Sequence, residues 1–186
     1  ETIVNDDVFK KENSKIKEEI IEAIENIKLS DHKTSKEINF QSLDKKFLFS
    51  SQEIIWLKNN DKENWGRYLL NRYFFKVLPQ KRIVNEFPPY VLIEPTSVCN
   101  LRCIMCFQVD KSFSSNKKFL GFIDIDFFKE LIKQCEANDC NSITLASRGE
   151  PTLHKQFDEI SSTIKYSKIL DTKINTNATV LDEKKI

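Results

Sequence analysis

The chain has 186 residues, of which 40% are hydrophobic and 31% charged, and its formal net charge is +1. That length suffices for a buried core and holds one domain plus an extension, while the near-neutral charge gives no global attraction to nucleic acid or anionic lipid. No apolar run approaches the roughly 18 residues of a membrane span, so neither nucleic acid nor membrane is an expected partner.

Residues 1–87 are charged and helical in pattern and are expected to form a mainly helical N-terminal extension. Ile16, Ile20, Ile24 and Ile27 recur at helical spacing with Lys and Glu on the other face, which predicts an amphipathic packing helix. Ser30 to Ser51 is polar, with His32 and scattered Phe40, Phe47 and Phe49, and reads as a docking linker in which His32 is solvated. Asp61 to Leu78 returns to a helical pattern through Trp65, Tyr68, Leu69 and Tyr73, and Pro79 ends it. Arg67, Arg72, Lys76, Lys81 and Arg82 lie among these aromatics. Such a mixture can serve as a stacking platform for nucleic acid, but aromatics at helical spacing are more simply core and the basic residues a solvated face.

From Pro88 the pattern becomes strand alternating with helix, the signature of a parallel α/β architecture. Tyr90 to Glu94 is a short apolar run suited to a buried parallel strand. A cysteine-bearing loop follows. Asp124 or Asp126 can then cap a helix that buries Phe127, Phe128, Leu131, Ile132 and Cys135. Ser142 to Ala146 is the second strand, followed by the loop Ser147-Arg148-Gly149-Glu150-Pro151 and a helix with Phe157, Ile160 and Ile164 inward. Leu170 to Thr176 is the third strand, and Asn177 begins the next turn. The sequence starts at Glu1 rather than Met and stops at Ile186, where another helix is beginning, so residues 88–186 are expected to be the first half of a domain within a longer protein. Ligand sites in such sheets gather beyond the C-terminal strand ends, where the cysteine loop and the Gly149 loop both fall.

The cysteine loop holds the chemistry. Cys99, Cys103 and Cys106 form a C-x3-C-x2-C triplet with no fourth cysteine in the next twenty-five residues. Three thiolates on a cubane iron–sulfur cluster leave one iron open to a small molecule. Zinc sites usually take four ligands in paired motifs; here Cys135, Cys140 and His154 would have to complete an unusual assembly. Neither ferredoxin spacing fits, and five cysteines without a visible signal peptide argue against a disulfide framework.

The triplet, read with the run Pro88-Pro89-Tyr90-Val91-Leu92-Ile93-Glu94-Pro95-Thr96-Ser97-Val98 before it, resembles the opening of radical S-adenosylmethionine (SAM) superfamily enzymes of the SPASM-type subfamily. The resemblance covers about residues 88–182. It implies a partial parallel (β/α) barrel, of which the chain holds the first half, and a [4Fe-4S] cluster held by Cys99, Cys103 and Cys106. SAM would bind the open iron and be cleaved reductively to a 5′-deoxyadenosyl radical that abstracts hydrogen from a peptide, protein or sugar substrate. A reduced donor such as flavodoxin or ferredoxin would supply the electron. An oxygen-labile cluster further implies a reducing cytoplasm.

Other segments extend the resemblance. Arg148-Gly149-Glu150-Pro151 is similar to the Gly-Gly-Glu segment whose backbone binds the SAM amino group, with Arg148 in place of the first glycine. Arg148 could instead pair with the SAM carboxylate or a substrate anion, and a plain turn with Pro151 starting a helix accounts for part of the pattern. Met105 matches a hydrophobic position near the adenine, or is a loop anchor. Asn175-Thr176-Asn177-Ala178-Thr179 resembles the family's Thr-Asn-Gly turn, in which Asn177 would reach SAM or cap the next helix. His154 would be a supporting donor or structural, Cys135 a buried thiol, and Cys140 has no assigned role. An iron–sulfur electron-transfer or sensing module without SAM chemistry is the alternative to the enzyme.

Overall fold

The computed structural model describes residues 7–30 and 47–182. Most of the polar segment read as a linker, including His32 and Phe40, lies outside the described residues, as do the side chain of Ile27 and the helix start near Ile186. The chain divides into two compact units, Glu1–Pro89 and Tyr90–Ile186.

The first unit contains helices α1 (Asp7–Lys11), α2 (Ser14–Ser30), α3 (Ser51–Asn59) and α4 (Trp65–Lys76), with a 3-10 turn at Lys62–Asn64. Ile20 is fully buried on α2, and Phe9, Phe47, Leu69, Tyr73 and Val77 bury with it. Helix α3 begins inside the segment's polar stretch because Ser50 and Glu53 form a capping box: the Ser50 side chain accepts from the Glu53 N–H, and the Glu53 side chain accepts from the Ser50 N–H. The buried Glu53 carboxylate also pairs with Arg72 at 2.6 Å and Lys76 at 2.5 Å. Lys81 pairs with Glu19 at 3.0 Å, and the buried Tyr73 hydroxyl donates to Glu19 at 2.7 Å. Three of the five basic residues considered for a stacking platform, Arg72, Lys76 and Lys81, are thus tied to carboxylates of their own unit.

The second unit is built on three parallel strands in the order β1 (Tyr90–Ile93), β2 (Ser142–Leu145) and β3 (Asp171–Ile174). Between β1 and β2 come a short α5 (Lys111–Ser114) and α6 (Ile125–Ala137), and between β2 and β3 comes α7 (Phe157–Lys165). This is the partial parallel β/α arrangement expected. Ile93, Ile143 and Leu145 meet Phe128 and Ile132 of α6 and Phe157, Ile160 and Ile164 of α7 in one core. Every residue of β2 is buried, as the central strand of a parallel sheet requires. Asp124 is the cap of α6, its carboxylate accepting from the N–H groups of Asp126 and Phe127 at 3.0 and 2.9 Å. Phe127 corrects the sequence reading: it is 57% exposed, because the buried stripe runs through Phe128, Ile132 and Cys135.

The C-terminus of α6 forms a Schellman motif, with Asp139 left-handed at φ 53° and the Cys140 N–H donating to the Cys135 carbonyl at 2.9 Å. Cys135 and Cys140 supply its apolar contact and are both buried. Their thiols hydrogen-bond, which lowers the Cys135 thiol and, with burial, raises that of Cys140. All three strands are shorter than their sequence patterns, β2 by the single residue Ala146. β1 stops before Glu94, whose carboxylate turns to Arg148, and β3 stops before Thr176, whose hydroxyl turns to Glu150.

Candidate functional site

Three loops leave the C-terminal ends of β1, β2 and β3, and each is bonded to the other two. The β1 loop carries Cys99, Cys103 and Cys106. Its turn is closed by the Cys106 N–H donating to the Cys103 carbonyl at 2.8 Å, and Arg102 Nη1 braces it on the carbonyls of Cys99 and Leu101 at 2.8 and 2.7 Å. Cys103 is exposed and Cys99 and Cys106 half-buried. Among the described residues the three thiols are not drawn together into a set that could hold a metal ion. The loop that carries all three leaves the C-terminal end of β1, and Cys99 reaches the β3 turn at Asn177. Ile104 and Met105 project outward, 93% and 85% exposed. Met105 is therefore no loop anchor.

The β2 loop lies hard against the β1 loop at Gly149. A Cβ on Gly149 would sit 2.1 Å from the Thr96 carbonyl oxygen and 2.6 Å from that of Val98. The Glu150 N–H donates to the Val98 carbonyl at 2.8 Å, while the Gly149 carbonyl takes no hydrogen bond from any described residue. Arg148, standing where the family pattern has glycine, directs its side chain elsewhere: Nη2 lies 2.6 Å from Glu94 Oε1 and Nε 2.8 Å from Oε2. Burial would raise the Glu94 carboxyl, but Arg148 and Ser147 outweigh it and hold it low, and Glu94 in turn raises the Arg148 guanidinium. This pair borders an open cleft of about 300 Å³ walled by Thr96, Ser97 and the Lys118–Ile123 segment.

Glu150 joins the β2 and β3 loops. It is 3% exposed, and its carboxylate accepts from the Thr152 N–H and hydroxyl, the Thr176 hydroxyl at 2.6 Å and the Asn177 N–H at 2.6 Å. Burial alone would raise its carboxyl; the Asn177 N–H and the Thr152 and Thr176 hydroxyls outweigh burial and hold it below the ordinary range. A group depressed in this way stabilises the fold above its unfolded value, and the contribution is lost as pH falls through the folded one. Glu150→Gln should therefore cost about 1–2 kcal/mol at neutral pH. The gap from wild type should close as the pH drops below the ordinary carboxylate range, read as unfolding midpoints across a pH series.

The β3 turn closes the ring. Asn177 Nδ2 donates to Asn100 Oδ1 at 3.0 Å and reaches Cys99 Sγ at 4.0 Å, and Asn100 Nδ2 donates to the Thr179 hydroxyl at 2.7 Å. Ala178 adopts φ 59°, the left-handed conformation that glycine takes without steric cost. Ala178→Gly is expected to stabilise the chain by about 0.5–1 kcal/mol, measured by urea unfolding.

His154 is structural. Its Nε2 bonds the Ile123 carbonyl at 2.9 Å and its Nδ1 accepts from the Gln156 N–H at 3.1 Å, so neither nitrogen is left to join Cys135 and Cys140 on zinc. Gln108 escaped the sequence reading. It is 2% exposed, and its amide donates to the carbonyls of Ser97 at 2.9 Å and Arg148 at 2.7 Å.

A family model described as the radical SAM superfamily matches residues 93–186. GTP 3′,8-cyclase of Stenotrophomonas maltophilia (strain R551-3) is 32% identical over 94 residues, covering 50% of this chain and 28% of that protein. The tungsten-containing aldehyde ferredoxin oxidoreductase cofactor-modifying protein of Pyrococcus furiosus is 33% identical over 95 residues, 50% of this chain and 25% of that protein. The chain thus spans about a quarter of the length of these curated relatives. Among solved structures, BtrN in complex with AdoMet and 2-DOIA aligns with a TM-score of 0.47 and 26% identity, over 55% of this chain and 41% of that one. No helix among the described residues is long and apolar enough to cross a membrane.

Proposed function

Because the chain belongs to the radical SAM superfamily, whose cofactors are a [4Fe-4S] cluster and SAM, we propose that Cys99, Cys103 and Cys106 hold three irons of that cluster and leave the fourth for SAM. Two features support the fit. Three thiols, the soft donors that iron–sulfur clusters take, stand exposed or half-buried on one loop. Beside them the Gly149 backbone fills a place that leaves no room for a side chain. The second feature carries the reading, since a close backbone approach beside a three-cysteine loop is what a shared cluster and SAM site needs. When bound, the pair of cofactors supplies reductive cleavage of SAM to a 5′-deoxyadenosyl radical.

The roles of the chain's own residues follow from their placement. The Gly149 carbonyl is offered to the SAM amino group. Glu150, its carboxylate engaged by Thr152, Thr176 and Asn177, fixes the loop rather than presenting its charge. Met105, exposed beside Cys106, would cover the adenine. Asn177 orients Cys99 and Asn100 from the β3 side. Arg148, neutralised by Glu94, holds the loop's far flank in place of the SAM or substrate carboxylate considered above. In the whole protein we take the reaction to be hydrogen abstraction from a peptide, protein or sugar, with a reduced flavodoxin or ferredoxin as donor. The run from Pro88 to Val98 supports the SPASM-type subfamily.

The test is anaerobic reconstitution with iron and sulfide, reduction, and electron paramagnetic resonance (EPR) with and without SAM. A cubane signal that shifts on adding SAM is expected. A cubane signal indifferent to SAM would replace this reading with the electron-transfer or sensing module, and absence of a cluster would overturn both.

A further inference from the structure

We propose that Gln108 is a positioning residue for SAM, acting through the Arg148–Gly149 peptide; this rests on the function proposed above. Gln108 lies in a 3-10 turn, Phe107–Val109, two residues after the last cysteine of the triplet. Its two apolar neighbours are turned out, Phe107 at 47% and Val109 at 49% exposed, while the polar side chain between them is buried. A buried polar group flanked by exposed apolar ones is the reverse of ordinary patterning and calls for a specific cause.

The cause is a pair of facing carbonyls. Ser97 belongs to the β1 loop and Arg148 to the β2 loop, and both point their oxygens at Gln108 Nε2. Two acceptors facing each other out of water repel unless a donor stands between them. A primary amide has two N–H groups on one nitrogen, and Gln108 spends both there. Since the 148–149 peptide is planar and trans, fixing the Arg148 carbonyl also fixes the plane from which Gly149 continues. Gln108, anchored next to Cys106, thereby sets the peptide plane that enters Gly149, and the Glu150 N–H bond to Val98 holds the plane that leaves it with the Gly149 carbonyl, so the orientation of this backbone towards SAM depends on both. Cluster loop and SAM loop are held in register by one amide.

The reconstituted protein tests this with Gln108→Met, which keeps length and bulk without the donors, and Gln108→Glu, which keeps size and polarity but places an acceptor against the two carbonyls. Iron and sulfide content and the SAM-free EPR spectrum should match wild type in both. The SAM concentration that half-saturates the SAM-induced spectral change should rise about tenfold or more, the loss expected when a positioned buried hydrogen bond is removed. Unchanged half-saturation in either cluster-loaded variant would overturn the proposal. So would iron content falling in step with the SAM response in both variants, which would mark a general packing role. If the wild-type cluster itself ignores SAM, the function proposed above fails, and this proposal with it.

Discussion

Cys103→Ala is expected to abolish both the cubane EPR signal and all SAM cleavage while leaving the unfolding transition within about 0.5 kcal/mol of wild type. The separation of the two effects follows from exposure. The Cys103 side chain faces solvent, and the structural bond at this position is made by its backbone carbonyl, which accepts from the Cys106 N–H and survives the substitution. Cys135→Ala should do the opposite. That thiol is buried in the Schellman contact with Cys140, so its loss costs about 1–2 kcal/mol of packing and leaves the cluster intact. The measurements are iron and sulfide content after anaerobic reconstitution, the reduced EPR spectrum, and chemical denaturation of both variants. Cleavage retained in Cys103→Ala, or a cluster lost in Cys135→Ala, would sink the ligand assignment.

Cys103 and Cys135 also differ in how far their roles are legible in the sequence. Cysteine spacing is a local property, so the triplet could be read from the chain alone, and the three strands could be placed because they alternate with helical patterns, although only β1 is a short apolar run and β3, Asp171-Thr172-Lys173-Ile174, is mostly polar. Helix α3 was missed although Ser50 and Glu53 spell a capping box, because the polar residues around it hid the periodicity. Gln108 was invisible for another reason. Nothing in its neighbourhood announces that two carbonyls from loops 11 and 40 residues away converge on it. Such long-range satisfaction of buried backbone groups is a property of the folded chain, not of a motif. Likewise, Glu150 was legible as part of a family segment, but its role as a clasp to Thr176 and Asn177 depends on β2 and β3 being neighbours in the sheet.

Gly149→Ala is expected to eliminate the SAM-induced spectral change while sparing the cluster. The glycine is required by space and not by dihedral angle, since its φ is not positive. The added methyl would lie 2.1 Å from the Thr96 oxygen and 2.7 Å from the Thr96 carbonyl carbon. Both are backbone atoms that cannot rotate away, so the β2 loop must retreat. Retreat breaks the bond from the Glu150 N–H to Val98 and stretches that from Gln108 to Arg148. A cost of about 3 kcal/mol is in keeping with forced overpacking. The cysteine loop keeps its own braces, the Arg102 bonds and the Cys103–Cys106 turn, so iron content should stay near wild type. The same geometry explains why arginine is tolerated one residue earlier, where the family pattern has glycine. The Arg148 side chain leaves towards Glu94 and the Phe113 ring and never enters the contact with Thr96. Of the two glycine positions in the family segment, only the second is pressed against backbone here. EPR titration with SAM and urea unfolding of Gly149→Ala test both halves of this account: an unaltered SAM response would show that close backbone approach at Gly149 is not what binds the cofactor.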